Sequence, residues 1–166
     1  MRRWRRLVAG MGLLLACSTT HAQPVVRQLL IQPSDFSRAS EALQEAIENQ
    51  GLIPGPRNHF GEMLARTAPV LGHAVLVYDQ AEITPFCSAT VSWALVTENP
   101  DYIALCPLTI ALYTLAGQPE TVYLSYRDPG SASAALSAAS VLLRDIATAT
   151  VTAARVFRQA GKNSAP

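Results

Sequence analysis

The segment from residue 108 to residue 127 decides the fold of this chain. Residues 108–115 are LTIALYTL, residues 116–119 are AGQP, and residues 121–127 are TVYLSYR. Two kinds of side chain alternate along the last stretch: Val122, Leu124 and Tyr126 on one side, Tyr123 and Ser125 on the other. That two-residue period is typical of a strand with one buried face. With Gly and Pro between the two stretches, the segment predicts a β-hairpin.

Helical and strand patterns precede the hairpin. Apolar residues at three- and four-residue intervals predict a helix that is capped by Asp35 or Ser37 and ends before Gly51: Phe36, Ala39, Leu43, Ala46 and Ile47. Residues 25–31 and 74–78 are apolar runs of strand length, and residues 58–66 predict a short helix stopped by Pro69.

Two further helices are predicted around the hairpin. Threonine is favoured at the N-cap of a helix and proline at its first position. Thr84 and Pro85 therefore predict a helix that begins there and ends at Asn99. Residues 131–160 have helical periodicity. A helix of thirty residues is about 45 Å long, which exceeds the width of a domain of this size. We therefore expect it to break near Ser137 or to pack on a second subunit.

Composition indicates one compact domain. The chain has 166 residues, of which 49% are apolar and 15% charged, and this balance excludes a disordered chain. Beyond the four arginines near its start, 9 basic and 12 acidic residues remain, a net charge of −3. A chain with this balance and no basic stripe is not expected to bind nucleic acid. No uninterrupted apolar run is long enough to predict a membrane span.

The first 22 residues have the pattern of a secretory signal peptide. Arginines occupy positions 2, 3, 5 and 6, an apolar run covers residues 7–16, and small or polar residues follow to position 23. Cleavage after Ala22 is favoured, and the alternative is a lipobox that leaves a lipid on Cys17. Either outcome predicts the periplasm or the outer cell envelope. The expected organisation is a signal peptide (1–22), one domain (23–160) and a disordered tail (161–166).

The chain resembles the domain-of-unknown-function 302 family over roughly residues 25–155. The resemblance lies in a helix start, an Asn-Pro stop, a Pro-containing strand entry and a hairpin that ends in Ser-Tyr-Arg: residues 86–89, 99–100, 104–108, 110–113 and 122–127. It implies a small α+β domain, with helices packed against a mixed or antiparallel sheet, that is usually a homodimer. The family's name assigns no activity.

Cys87 and Cys106 are the sequence's main candidates for sulfur chemistry. In an oxidising compartment a structural disulfide is the default expectation, and it would close a loop of about twenty residues. The alternative places Cys87 at the third position of the helix that begins after Thr84, where free amides favour a thiolate. That geometry would suit a redox or sulfur-handling protein.

A small anionic ligand is a further possibility. Arg127 could orient such a ligand, and four aromatic residues could line its pocket: Trp93, Tyr113, Tyr123 and Tyr126. Metal or haem binding is not predicted, because the available ligand types have no metal-ligand spacing: Cys87, Cys106, His59, His73 and Met63. No cofactor is expected.

Three functions remain in order of preference. The first is an exported, non-enzymatic binding or accessory domain that dimerises and binds a ligand or partner near the hairpin and Cys87. The second is a thiol-dependent protein that uses Cys87 and Cys106. The third is a structural envelope protein anchored by lipid at Cys17.

Overall fold

The computed structural model describes residues 25–162, with side chains as far as Arg155. The strands are β1 (Val25–Ile31), β2 (Tyr78–Phe86), β3 (Leu108–Leu115) and β4 (Val122–Asp128). The helices are α1 (Phe36–Glu48), α2 (Phe60–Thr67), α3 (Ala89–Glu98) and α4 (Ala134–Lys162), with a 3₁₀ helix at Pro100–Leu105. The predicted signal peptide and Cys17 lie outside the described residues. Of the predicted tail, residues 161 and 162 belong to α4.

The four strands form one antiparallel sheet in the order β1-β4-β3-β2. The predicted hairpin is present as β3 and β4, with Tyr113 paired to Tyr123 and Leu112 paired to Leu124. Pairing sets the two strands' residues opposite each other on the same side of the sheet. Helices pack against this sheet, and the fold is α+β, as predicted.

One face of the sheet holds the hydrophobic core. Every second residue of β3 and β4 is buried on this side, beginning at Leu108 and at Val122. α1 and α4 pack on each other and on these strands, and both helices contribute fully buried residues such as Ile47 and Ile146. We call this side the helix face and the opposite side the open face.

α2 lies on the open face and covers its β2 end. A Cβ placed on Gly61 would come within 2.9 Å of the backbone nitrogen of Ala81, which is paired with Tyr113. So close an approach requires glycine at this position. Residues 52–58 run along the outer edge of β2, where Asn58 and Ile83 exchange two backbone hydrogen bonds of 2.9 Å.

Asp128 ties the end of β4 to β1 and to the first turns of α4. Its carboxylate accepts hydrogen bonds from Ser140 Oγ at 2.6 Å, from Gly130 N at 2.9 Å and from Arg27 Nε at 2.9 Å. These donors lower the pKa of Asp128 to about 2, well below the usual value for aspartate, and the Ser140 bond contributes most.

The predicted helix start at Thr84 is wrong. Thr84 and Pro85 belong to the edge strand β2, and the helix begins at Ala89 with Ser88 as its N-cap. Ile83 directs its N–H away from β3, to Asn58, and Pro85 has the same orientation two residues later. The missing N–H of proline therefore costs no hydrogen bond to β3.

Two other expectations about elements also need correction. The break of α4 near Ser137 is wrong, because Ser137 N donates to Ser133 O at 2.9 Å and the helix continues to Lys162. The alternative, that this helix packs on a second subunit, stays a prediction. Residues 74–77 do not form a strand: β2 begins at Tyr78, and the apolar side chains before it are exposed. Residues 134–155 are long and apolar enough to cross a membrane, but the buried part of this segment packs on α1 and the sheet.

We expect Asp128→Asn to lower the free energy of unfolding by about 1–2 kcal/mol at pH 7. The folded-state pKa lies below the unfolded value, so the stabilisation is complete above about pH 4 and is lost as the pH falls towards 2. Urea unfolding at several pH values measures this. The matched control is Asp145→Asn, since the side chain of Asp145 is half exposed. A pH-independent difference between wild type and Asp128→Asn would contradict the account.

Candidate functional site

The open face of β1, β4 and β3 is the most unusual surface in the described part of the chain. Strand pairing puts ten residues on it: Val26, Gln28, Leu30, Thr109, Ala111, Tyr113, Leu115, Tyr123, Ser125 and Arg127. α2 lies over β2, whereas no described element has appreciable contact with this side of β1 or β4. A sheet face that carries aromatic and aliphatic residues is normally covered by another layer.

Three tyrosines form a row across this face. The rings of Tyr113 and Tyr123 stack with centroids 5.0 Å apart and planes 7° from parallel. Tyr78 meets Tyr113 edge to face at 5.2 Å. Both arrangements are favourable ones for aromatic pairs, so the row is held in a fixed geometry.

The hydroxyl groups of Tyr113 and Tyr123 have partners within the chain. Gln28 Nε2 donates to the Tyr113 hydroxyl at 2.7 Å, and the Tyr123 hydroxyl donates to Gln118 Oε1 at 3.0 Å. Because these polar groups are already hydrogen-bonded, covering the row with another surface would leave few of them without a partner.

Apolar side chains around the row are exposed. Val26 is 61% exposed and Leu30 is 43% exposed, both on β1. The segment from α2 to β2 adds further exposed residues: Val70, Leu71, Val75, Leu76 and Val77. Val26 and Leu30 share a face with the tyrosine row, and apolar side chains grouped on one face mark an interaction site more often than scattered single residues do.

The predicted ligand-binding residues do not all come together. Arg127, Tyr113 and Tyr123 lie on the open face. Tyr126 lies on the helix face and is only 7% exposed, because neighbouring residues of a strand point to opposite faces, and this burial raises its pKa. Trp93 is on α3 and 72% exposed. One pocket around all five is therefore not formed.

Tyr78 and Gln28 are members of this site that the sequence did not indicate. The alternation in residues 121–127 separates Tyr123 from Tyr126, but it does not reveal that Tyr123 pairs with Tyr113. Tyr78 and Gln28 lie on other strands, and only the strand registers place them beside this pair.

The expected disulfide is not formed, since Cys87 and Cys106 are both free thiols. Phe86 and Leu108 are paired and buried on the helix face. Cys87 follows Phe86 and is exposed, whereas Cys106 packs against the core, with its Sγ 3.5 Å from Ser92 Oγ. The two side chains thus leave the sheet end in different directions.

The predicted placement of Cys87 within a helix is also wrong. Cys87 precedes the N-cap Ser88 instead of occupying the third helical position. It borders a shallow, mainly apolar depression of about 510 Å³ that Ile53 and Pro107 also line. The helix-terminus argument for a thiolate therefore does not apply.

His59 belongs to a polar cluster around Glu82. His59 Nδ1 lies 3.2 Å from Glu82 Oε1, and Ser40 Oγ donates to Glu82 Oε2 at 2.9 Å. Arg57 donates to Ser40 Oγ at 2.8 Å. These contacts fasten the segment along β2 to the sheet and to α1. Within residues 25–162, no three His, Cys, Asp or Glu side chains are grouped as a metal site would require.

A polar cleft of about 840 Å³ lies at the hairpin end of the sheet. Asp35, Asp79 and Glu120 line it together with Arg38. The Asp35 carboxylate accepts a hydrogen bond from Ser37 N at 2.8 Å, and its bonds to Ser37 lower its pKa. Asp35 thus acts as the N-cap of α1, which leaves it a structural role in this cleft.

The chain is similar in structure to a crystal structure described as an uncharacterized conserved protein DUF302 from Bacillus stearothermophilus. The TM-score is 0.55 at 14% sequence identity, and the match covers 78% of this chain and 95% of the other. At this identity the likeness shows the fold alone. It agrees with the resemblance in the hairpin region. No family model and no curated protein matches the chain.

We expect two reactive thiols in a Cys17→Ser chain before any reductant is added. Cys87 should react quickly with a thiol-specific reagent and Cys106 slowly, since Cys87 is exposed and Cys106 is packed against the core. Cys87→Ser and Cys106→Ser assign the two phases. A thiol count that rises only after reduction would show that the disulfide forms after all.

Proposed function

We propose that this protein is an exported, non-enzymatic binding domain that acts in the bacterial periplasm or outer envelope. Its binding surface is the open face of β1, β4 and β3, and it takes the surface of another polypeptide. The observation that carries the proposal is the fixed tyrosine row with exposed Val26 and Leu30 beside it.

The chemistry of the open face supports binding over catalysis. Two tyrosine hydroxyls are paired with glutamine amides, Tyr113 with Gln28 and Tyr123 with Gln118. Such a face offers apolar area and rigid aromatic rings, which dominate the energetics of protein interfaces. Tyrosine is among the residues enriched at such sites, because it combines a large apolar ring with a polar end.

The thiol-based alternative has less support. A cysteine pair that cycles between thiols and a disulfide must bring its sulfurs into bonding distance. Cys106 is packed against the core and Cys87 is exposed, so bond formation would require local rearrangement at the start of α3. The lipid-anchored alternative depends on Cys17 and is compatible with the same binding surface.

Export is tested by the mass of the protein purified from the cells that make it. We expect a chain that begins at Gln23, because the signal pattern favours cleavage after Ala22. A chain that begins at an acylated Cys17 would establish the lipid anchor. A product that still begins with Met1 would contradict export.

The binding surface is tested by site-specific photo-cross-linking in those cells. A benzophenone amino acid at Val26 or Ser125 should give a discrete adduct with a polypeptide, since both positions lie on the open face. The matched control places it at Arg144, an exposed position on α4. Absence of adducts from Val26 and Ser125, or equal adducts from Arg144, would overturn the proposed function.

A further inference from the structure

We propose that the partner of this protein binds as an extended segment of a different polypeptide, which pairs in antiparallel fashion with β1 and adds a strand to the sheet. This inference rests on the proposed function, because it names the form and the chemistry of the partner of the same surface. It follows from the backbone of β1, from the side chains beside it and from the charges at its two ends.

β1 is an end strand of the sheet, and no described strand pairs with its outer edge. In an antiparallel pair, the backbone N–H and C=O groups of alternate residues point to the partner strand, and those of the others point away from it. The Leu30 carbonyl accepts a hydrogen bond from Arg155 of α4, so Leu30 is one of the residues that point away from β4. The same alternation directs the N–H and C=O groups of Val26 and Gln28 to the outer edge. This edge therefore offers backbone donors and acceptors over about 13 Å.

The opposite edge of the sheet is protected against such pairing. Pro85 of β2 has no N–H, and residues 54–58 cover the outer side of β2, where Gly55 N donates to the Pro85 carbonyl at 2.7 Å. Proline and a covering segment are two of the ways in which proteins block an edge strand. β1 contains no proline, and among residues 25–155 only Arg155 bonds to the backbone of its outer edge. The sheet is thus closed at β2 and open at β1.

The exposed side chains of β1 select an apolar residue at every second position of the added strand. Val26 and Leu30 are exposed on the open face, and Leu30 is paired with Tyr123 of the tyrosine row. A strand added to β1 places alternate side chains on this face, directly beside Val26 and Leu30. Apolar side chains there bury both residues and extend the layer that the row begins.

The charges near this edge favour an acidic segment over a second copy of the chain. Arg155 lies at the Leu30 end of the edge, and Arg127 is paired with Val26 at the other end. Among residues 25–155 neither arginine forms an ion pair, and β1 itself has no acidic residue. A second β1 would bring its own Arg155 to the same edge, whereas carboxylates of another segment are attracted to both arginines. The partner segment therefore alternates apolar and acidic residues.

The test in cells uses the adduct from a benzophenone amino acid at Val26, in chains that also carry a change at Gln28. Gln28→Pro removes the central N–H of the outer edge and leaves the hydrogen bonds to β4 in place. Gln28→Ala is the matched control, because it loses the same side chain, with its bond to Tyr113, and keeps the N–H. We expect Gln28→Pro to reduce the adduct by about tenfold or more, and Gln28→Ala to change it by less than about twofold. Mass spectrometry of the adduct should identify a different protein, cross-linked in a segment that alternates apolar and acidic residues.

A synthetic peptide tests the same pairing on the purified protein. The probe is a fluorescent peptide in which valine alternates with glutamate, and we expect saturable binding at about 1–100 μM by fluorescence anisotropy. In antiparallel pairing its valines lie on the open face and bond to the backbone of β1. N-methylation of the valines should therefore abolish binding, and N-methylation of the glutamates should leave it unchanged. A peptide with lysine in place of glutamate should bind about tenfold more weakly or worse.

Circular dichroism checks that Gln28→Pro is folded, and the N-methylated peptides decide the question if it is not. Equal adducts from Gln28→Pro and Gln28→Ala, an adduct that contains only a second copy of this chain, or equal binding of the two N-methylated peptides would overturn the inference. So would a probe that does not bind, or a lysine peptide that binds as tightly. If Val26 still cross-links to another protein in folded Gln28→Pro, the proposed function stands and this inference fails. Absence of adducts from both Val26 and Ser125 defeats both.

Discussion

The alternation of side chains along an antiparallel strand is the constraint on which the rest of this structure depends. Leu112 and Leu124 point to the helix face, and their neighbours Tyr113 and Tyr123 point to the open face. Since α1 and α4 cover only one side, β3 and β4 contribute Leu112 and Leu124 to the core and Tyr113 and Tyr123 to the open face. The same rule separates Tyr126 from Arg127, although they are adjacent in sequence.

The position of α4 maintains the difference between the two faces. Asp128 links β1, the end of β4 and the first turns of α4 through Arg27, Gly130 and Ser140. At the other end, the guanidinium of Arg155 donates to the Leu30 carbonyl at 3.1 Å, on the free edge of β1. α4 is thus bonded to the sheet at Ser140 and at Arg155, near the two ends of the part of the helix whose side chains the structure describes.

Sequence reasoning identified the elements that carry a strong local pattern. The alternation in β4, the apolar spacing of α1 and the cap at Asp35 were sufficient, and the structure confirms each of them. Thr84 and Pro85 were misleading because their helix-starting chemistry is local, whereas β2 is stabilised by pairing with β3 and by hydrogen bonds to residues 55 and 58. The residues of a strand do not reveal which distant segments it will pair with.

The candidate site was only partly predictable for the same reason. Arg127, Tyr113 and Tyr123 were predicted as ligand-binding residues, and all three lie on the open face. Tyr126 and Trp93 were predicted for the same pocket but lie on the helix face and on α3. The row of Tyr78, Tyr113 and Tyr123 exists because register aligns residues from three strands. The free thiols follow from the same geometry, which gives Cys87 and Cys106 different surroundings.

Hydroxyl-radical footprinting in intact cells tests most directly whether the open face is covered by another polypeptide. The account predicts that labelling of Tyr113 and Tyr123 is lower in the cells than in the purified protein, while labelling of Trp93 is the same in both because it lies on α3, away from the open face. Equal labelling of Tyr113 and Tyr123 in the cells and in the purified protein would contradict it.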